Sequence, residues 1–184
     1  QTTIGQDLKG KTLGLLGLGR LGGQLGEYAK VVGMNLIAWS QNLTDEKARE
    51  KGATRVEKDE LFKRSDFISI HVVLSDRSRG LVGARELALM KPTASIVNTS
   101  RGPIVSEDAL IAALTERRIA GAALDVYSIE PLPADSELRR LDNIILSPHS
   151  SYATANTFRT FYGGMLEGVE AWLEGKPVRI QSPE

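Results

Sequence analysis

The segment from Lys11 to Gly33 constrains the fold more than any other part of the chain. An apolar run, Lys11 to Leu16, leads straight into Gly17-Leu18-Gly19-Arg20-Leu21-Gly22. From there Leu21, Leu25, Tyr28 and Val32 recur at helical spacing until Gly33 offers a C-terminal cap. The order is strand, glycine turn, amphipathic helix. In such a turn Gly17 permits the tight bend, Gly19 lets a pyrophosphate approach the backbone, and Gly22 lets the helix lie close to the strand. Unpaired N–H groups at the helix start then face the anion. With 18 glycines in 184 residues the string alone is a weak signal. Its placement directly after a buried strand and before a helix carries the inference.

The same alternation continues along the chain and predicts a parallel sheet wrapped by helices, in a single doubly wound domain. Asn35 to Trp39, Phe67 to Leu74, Ala94 to Thr99, Gly121 to Val126 and Ile144 to Leu146 read as further strands, mostly near-continuous apolar runs suited to burial on both faces. Ser106 is placed to cap a helix reaching about Glu116. Beyond the last strand, Phe158, Phe161, Tyr162, Met165, Leu166, Val169, Trp172 and Leu173 form a stripe, so one long helix is expected to pack on the sheet and stop near Gly175 and Pro177. Glu130-Pro131-Leu132-Pro133 is a connector between the last two strands.

Composition narrows the partners. The 23 Lys and Arg balance 23 Asp and Glu, which disfavours binding to nucleic-acid backbones and anionic lipid. The absence of cysteine excludes a disulfide framework and a thiolate metal site and suits a cytoplasmic setting; no metal is expected. The longest uncharged stretches, such as Val31 to Thr44, are broken by Gly, Asn, Ser and Gln and fall short of the roughly 18 apolar residues of a membrane span. The chain starts at Gln1 without Met and without a charged-then-apolar leader, so it reads as an unsecreted piece of something longer.

Ligands of open parallel sheets lie beyond the carboxyl ends of the strands, so polar residues there mark candidate sites. Arg101 follows Asn98-Thr99-Ser100, Asp125 closes another strand, His149 follows Ser147-Pro148, and His71 lies in Ile70-His71-Val72-Val73-Leu74. These ends converge on one rim. Taken singly, each has a bland reading: a surface ion pair, a satisfied imidazole, a solvated turn.

Together, Gly17 to Gly22, Asn98-Thr99-Ser100-Arg101-Gly102, Gly121 to Tyr127, Glu130-Pro131 and Ser147-Pro148-His149 resemble the nucleotide-binding domain of the D-isomer-specific 2-hydroxyacid dehydrogenases, over nearly the whole chain. The resemblance implies an α/β, Rossmann-like doubly wound sheet in three αβα layers. It also implies hydride transfer between NAD, or NADP, and a small 2-hydroxy acid or 2-oxoacid. Arg101 matches the arginine that anchors the substrate carboxylate, His149 the acid/base, and Glu130 the carboxylate paired with that imidazole. His71 matches no catalytic position.

For the cofactor, the resemblance puts the backbone of Arg20 and Leu21 under the pyrophosphate, Val72 and Val73 along the adenosine, and Thr99 and Asp125 beside the nicotinamide carboxamide. Two positions depart from the pattern. Ser40 stands at the end of the second strand, where an acid usually holds the ribose hydroxyls, with Lys47 and Arg49 further along. The choice between NAD and NADP is therefore open, with relaxed discrimination expected. Val73 replaces a proline found in many relatives.

The family carries a second, smaller domain built from both chain ends, whereas residues 1–184 hold only a short lead-in and exit. The chain is accordingly expected to be a dinucleotide-binding domain lacking its substrate domain, to bind dinucleotide, and to turn over 2-oxoacids poorly. A homodimer is the family default. Two other readings attach to the scaffold: a dinucleotide-sensing corepressor-like module, and a formate or phosphite dehydrogenase.

Overall fold

The structure is a computed structural model and describes residues 5–181. It forms two compact units, Gln1–His149 and Ser150–Glu184.

The first unit is built on a seven-stranded, all-parallel sheet in the order β3-β2-β1-β4-β5-β6-β7. Its strands are β1 (Thr12–Leu16), β2 (Asn35–Trp39), β3 (Thr54–Arg55), β4 (Phe67–Ile70), β5 (Ser95–Asn98), β6 (Gly121–Leu124) and β7 (Ile144–Leu146). Its helices are α1 (Arg20–Val31), α2 (Asp45–Glu50), α3 (Lys58–Arg64), α4 (Ala84–Leu89) and α5 (Glu107–Thr115). The order reverses between β1 and β4, the switch point at which the carboxyl ends of strands open a crevice.

Alternation along each strand explains why the apolar runs are continuous. Leu13 and Leu15 of β1 and Leu36 and Ala38 of β2 enter one core with Ala29 of α1 and Ala48 of α2. Leu16, Ile37, Ile68, Ile70 and Ile96 enter the other, with Leu61 and Phe62 of α3, Leu87 of α4 and Leu110 and Leu114 of α5. Helices therefore line both faces, the three-layer arrangement. Asp66 ties the layers near the start of β1: Oδ2 accepts the Thr12 N–H at 2.8 Å and Oδ1 meets Lys91 Nζ at 2.9 Å. Burial pushes this carboxyl up, but Lys91 and the Thr12 N–H outweigh it and hold the group below its ordinary value.

Several expectations are corrected. The sheet gains β3, whose Thr-Arg pair has no apolar run to announce it. The Phe67 to Leu74 run is strand only as far as Ile70, after which the chain turns out of the ladder. Ser106 occupies the N-cap of α5, but its side chain makes no capping bond.

The second unit contains α6 (Ala155–Leu173), capped by Thr154, whose Oγ1 accepts the Thr157 N–H at 3.1 Å. The expected burial of its apolar stripe is not met: α6 has no buried residue, and Trp172 is 68% exposed. Helical spacing reports an apolar face and carries no information about which surface covers it. Among the described residues no helix is long and apolar enough to cross a membrane.

Candidate active site

The glycine loop joins β1 to α1, and its glycines serve different ends. Gly17 has φ of 106°, a left-handed conformation, and a Cβ there would lie 2.7 Å from the His71 carbonyl carbon. At Gly22 a Cβ would run into the carbonyl oxygen of Gly17. Both are required by the fold itself. Gly19 is different: a Cβ would meet nothing within 4 Å, so no neighbouring group in the protein demands glycine there. Gly19 is the N-cap of α1 and supplies no side-chain cap, so the first-turn N–H groups receive no side-chain acceptor from it.

Two clefts flank this loop. One, of about 750 Å³, lies between α1 and the ends of β4 and β5 and is lined by Leu21, Val72, Val73, Thr99 and Arg101 among others, with His71 in its wall. The other, of about 540 Å³, lies at the end of β2 and is lined by Gly19, Ser40, Gln41, Asn42, Lys47 and Lys51 among others. Ser40 Oγ accepts the Leu18 N–H at 3.0 Å, tying the end of β2 to the loop. Seven of the predicted residues thus sit on two adjoining cleft walls. Gly17 and Gly22 are buried beneath the loop, Arg20 is exposed beside it, and Asp125 is buried at the end of β6, its N–H donating to the Asn98 carbonyl at 3.0 Å.

Side chains that sequence reasoning missed shape these walls. Asn98, buried at the end of β5, accepts the Ser100 N–H with Oδ1 at 3.0 Å and donates from Nδ2 to the Arg101 carbonyl at 3.0 Å, so one amide sets the turn that presents Arg101. Ser100 Oγ donates to the Val72 carbonyl at 2.6 Å and Ser78 Oγ to that of Val73 at 2.6 Å, fixing the segment after β4. His71 is largely desolvated, which pushes its imidazole below the ordinary value, and its Nε2 lies 2.9 Å from Ser69 Oγ.

Glu130 and His149 meet directly, with Oε2 and Nδ1 2.7 Å apart. The other oxygen, Oε1, accepts the Tyr127 N–H at 2.9 Å. First the His149 contact and then the Tyr127 N–H hold the Glu130 carboxyl below the usual carboxylate range, and the Arg101 guanidinium adds to the effect. An ionised carboxylate only accepts, so the hydrogen between the two belongs to Nδ1. His149 has φ of 53°, a conformation that costs a non-glycine residue about 1–2 kcal/mol and is found where surroundings over-determine the backbone. Tyr127 anchors the arrangement by donating from its hydroxyl to the Ser147 carbonyl at 2.7 Å. A Cβ on Gly102 would overlap the Tyr127 carbonyl group, so the Arg101 and Glu130 loops pack backbone to backbone.

Residues 1–151 match the family model described as the D-isomer specific 2-hydroxyacid dehydrogenase NAD binding domain. The chain belongs to this family. Its curated relatives include a glyoxylate reductase of Aeropyrum pernix, 43% identical over 94% of this chain and 52% of the relative. Among solved structures, a phosphoglycerate oxidoreductase from Vibrio cholerae superposes with a TM-score of 0.89 at 34% identity, covering 94% of this chain and 56% of that one. A D-lactate dehydrogenase with NAD+ from Lactobacillus jensenii superposes with a TM-score of 0.83 at 28% identity, covering 98% and 58%. The chain spans about half the length of the A. pernix enzyme.

As an NAD-binding domain of these dehydrogenases, the chain has residues that fit the cofactor. The space that a Gly19 side chain would fill lies open over the uncapped end of α1, where a pyrophosphate finds backbone donors and the positive end of the helix dipole. The adjoining clefts leave room for a nucleoside on either side.

Proposed function

We propose that the chain is the cofactor half of an oxidoreductase that interconverts a small 2-oxoacid and its D-2-hydroxy acid. Relatives named for glyoxylate and phosphoglycerate favour a small acid of this class. The bound nicotinamide supplies or accepts the hydride. Arg101 holds the substrate carboxylate through its planar guanidinium and polarises the adjacent carbonyl. His149 gives a proton from Nε2 to the carbonyl oxygen during reduction and takes it back in the other direction. Glu130 fixes the imidazole tautomer and orientation.

The observation that carries this reading is the 2.7 Å contact between Glu130 Oε2 and His149 Nδ1, with Arg101 close enough to act electrostatically on the same carboxylate. For the cofactor, we assign the pyrophosphate to the backbone of Gly17, Gly19, Arg20, Leu21 and Gly22, the adenosine to Ser40, Val72 and Val73, and the nicotinamide to the side of Thr99 and Asp125. We further place the protein in the cytoplasm, as a homodimer.

The test is oxoacid-dependent oxidation of NADH, run on the 184-residue chain and on the protein that joins it to a substrate domain. The chain alone is expected to bind NADH and turn over glyoxylate or hydroxypyruvate poorly, because cleft closure is missing. In the joined protein, His149→Ala is expected to lower kcat by about 10²–10⁴-fold with NADH affinity nearly unchanged. An unaltered kcat refutes the assignment.

A further inference from the structure

The segment that links β6 to β7 carries a buried side chain to which the acid/base chemistry gives no part. Tyr127 is 6% exposed and touches all three loops that bear Arg101, Glu130 and His149. Its backbone N–H donates to Glu130 Oε1 at 2.9 Å. Its carbonyl group packs on Gly102, next to Arg101. Its hydroxyl donates to the Ser147 carbonyl at 2.7 Å, with the Leu124 carbonyl a more distant second acceptor at 3.3 Å. The Ser147 carbonyl also accepts the His149 N–H at 3.1 Å, which closes the three-residue turn Ser147-Pro148-His149. A bond between residues two apart is bent, and bent bonds are weak. Yet at the end of this turn His149 holds φ of 53°. One residue therefore grips the contact between Glu130 and His149 from both sides, the carboxylate through its backbone and the turn that carries the imidazole through its side chain. Burial pushes the Tyr127 hydroxyl up, so it stays protonated and remains a donor.

We propose that Tyr127 is a positioning residue for His149: through the Ser147 carbonyl, its hydroxyl holds the imidazole against Glu130 in the tautomer that carries hydrogen on Nδ1 and leaves Nε2 to the substrate. A phenylalanine would fill the same space, so burial of the ring does not call for the hydroxyl. What the hydroxyl adds is a directed bond to the carbonyl two residues before His149. A left-handed non-glycine backbone persists only where its surroundings over-determine it, and this bond is one of those constraints. A neutral imidazole can place its one hydrogen on either nitrogen, and the partner of one nitrogen decides the state of the other. A turn free to relax moves Nδ1 off Glu130 Oε2, and the ring then samples the second tautomer. The proposal rests on the reading of His149 as the acid/base and names the residue that orients it.

Nitrogen-15 NMR of the imidazoles tests it on the 184-residue chain, whose two histidines, His71 and His149, keep the spectrum simple. In buffer alkaline enough to leave both rings uncharged, His149 of the unaltered chain is expected as the Nδ1–H tautomer. A neutral hydrogen bond is worth about two- to tenfold in an equilibrium constant, so Tyr127→Phe is expected to lower the ratio of Nδ1–H to Nε2–H by about that factor. NADH affinity is expected to stay unaltered. In the protein joined to a substrate domain, kcat for a 2-oxoacid is expected to fall by about two- to tenfold in the same variant. Ile119→Val shortens a fully buried side chain of the same core at a comparable cost in stability, and is expected to change neither the tautomer ratio nor kcat. An unchanged ratio in Tyr127→Phe, or an equal change in Ile119→Val, overturns the proposal and leaves the pairing of Glu130 with His149 standing. A His149 ring in the Nε2–H form in the unaltered chain refutes that pairing and the proposal with it. An unchanged kcat in Tyr127→Phe overturns the proposal where His149→Ala is inactive; where His149→Ala is fully active, the acid/base reading is what fails.

Discussion

Replacing Gly17 and Gly19 separately distinguishes what the glycine loop does for the fold from what it does for a ligand. Gly17→Ala places a Cβ 2.7 Å from the His71 carbonyl carbon and forces an L-residue to φ of 106°. The backbone conformation costs about 1–2 kcal/mol and the overpacking about 1–3 kcal/mol, roughly 2–5 kcal/mol together. With a denaturant slope of about 2 kcal/mol per molar urea, the unfolding midpoint falls by about 1–2.5 M. Gly19→Ser meets no atom within 4 Å and puts a good capping residue at the N-cap of α1, so stability changes by no more than about 0.5 kcal/mol. The same hydroxymethyl group occupies the space assigned to the pyrophosphate. Losing one charge-assisted backbone hydrogen bond costs about 1.5–3 kcal/mol, or about ten- to hundredfold in NADH affinity. Urea unfolding by circular dichroism and NADH fluorescence titration give the two readouts. A Gly19→Ser chain that binds NADH within threefold of the unaltered one refutes the cradle, and a Gly17→Ala chain with an unshifted midpoint refutes the packing argument.

Two further predictions follow from the titratable groups. Glu130 is held below its ordinary value in the fold, so the stability it confers is present above about pH 4.5 and is lost as pH falls through its lower folded value. Melting temperatures of the unaltered chain and of Glu130→Gln are therefore expected to differ at pH 6–7 and converge in more acidic buffer; a constant gap contradicts the pairing. His71 is pushed down by burial, so the unfolded chain binds more protons than the folded one near its ordinary value of about 6.5, and stability rises with pH there. Against His71→Gln, the unaltered chain should lose extra stability between pH 7.5 and 5.5; identical pH slopes argue against a desolvated imidazole.

The parts of this molecule legible in the sequence are those whose cause is local. β1, the glycine loop and α1 are contiguous, and each has a period or a bend that its own residues dictate. The short helices α2, α3 and α4 have six or seven residues, less than two turns, too few for an apolar face to repeat visibly. The apolar run Phe67 to Leu74 reads as one strand buried on both faces, yet Val72 to Leu74 form a cleft wall in place of a ladder and Val73 is 85% exposed. In the site, residue types at strand ends pointed to Arg101 and His149 and the family resemblance to Glu130, while the groups around them act through contacts distant in kind. Asn98 acts through both ends of its amide, Tyr127 through its backbone N–H, and Lys51 reaches a carbonyl 32 residues earlier in the chain. None of those contacts leaves a spacing signature. The exposed stripe of α6 marks the converse limit, since a strong period named a face without naming what covers it.

The most direct test of the account is a crystal structure of the chain grown with NADH. The prediction is a pyrophosphate on the backbone of Gly19 to Gly22 at the start of α1, the adenosine beside Ser40, Val72 and Val73, and the nicotinamide on the side of Thr99 and Asp125. A dinucleotide bound with its pyrophosphate away from that helix end, or with its nicotinamide beside Ser40 and its adenosine beside Thr99 and Asp125, contradicts it.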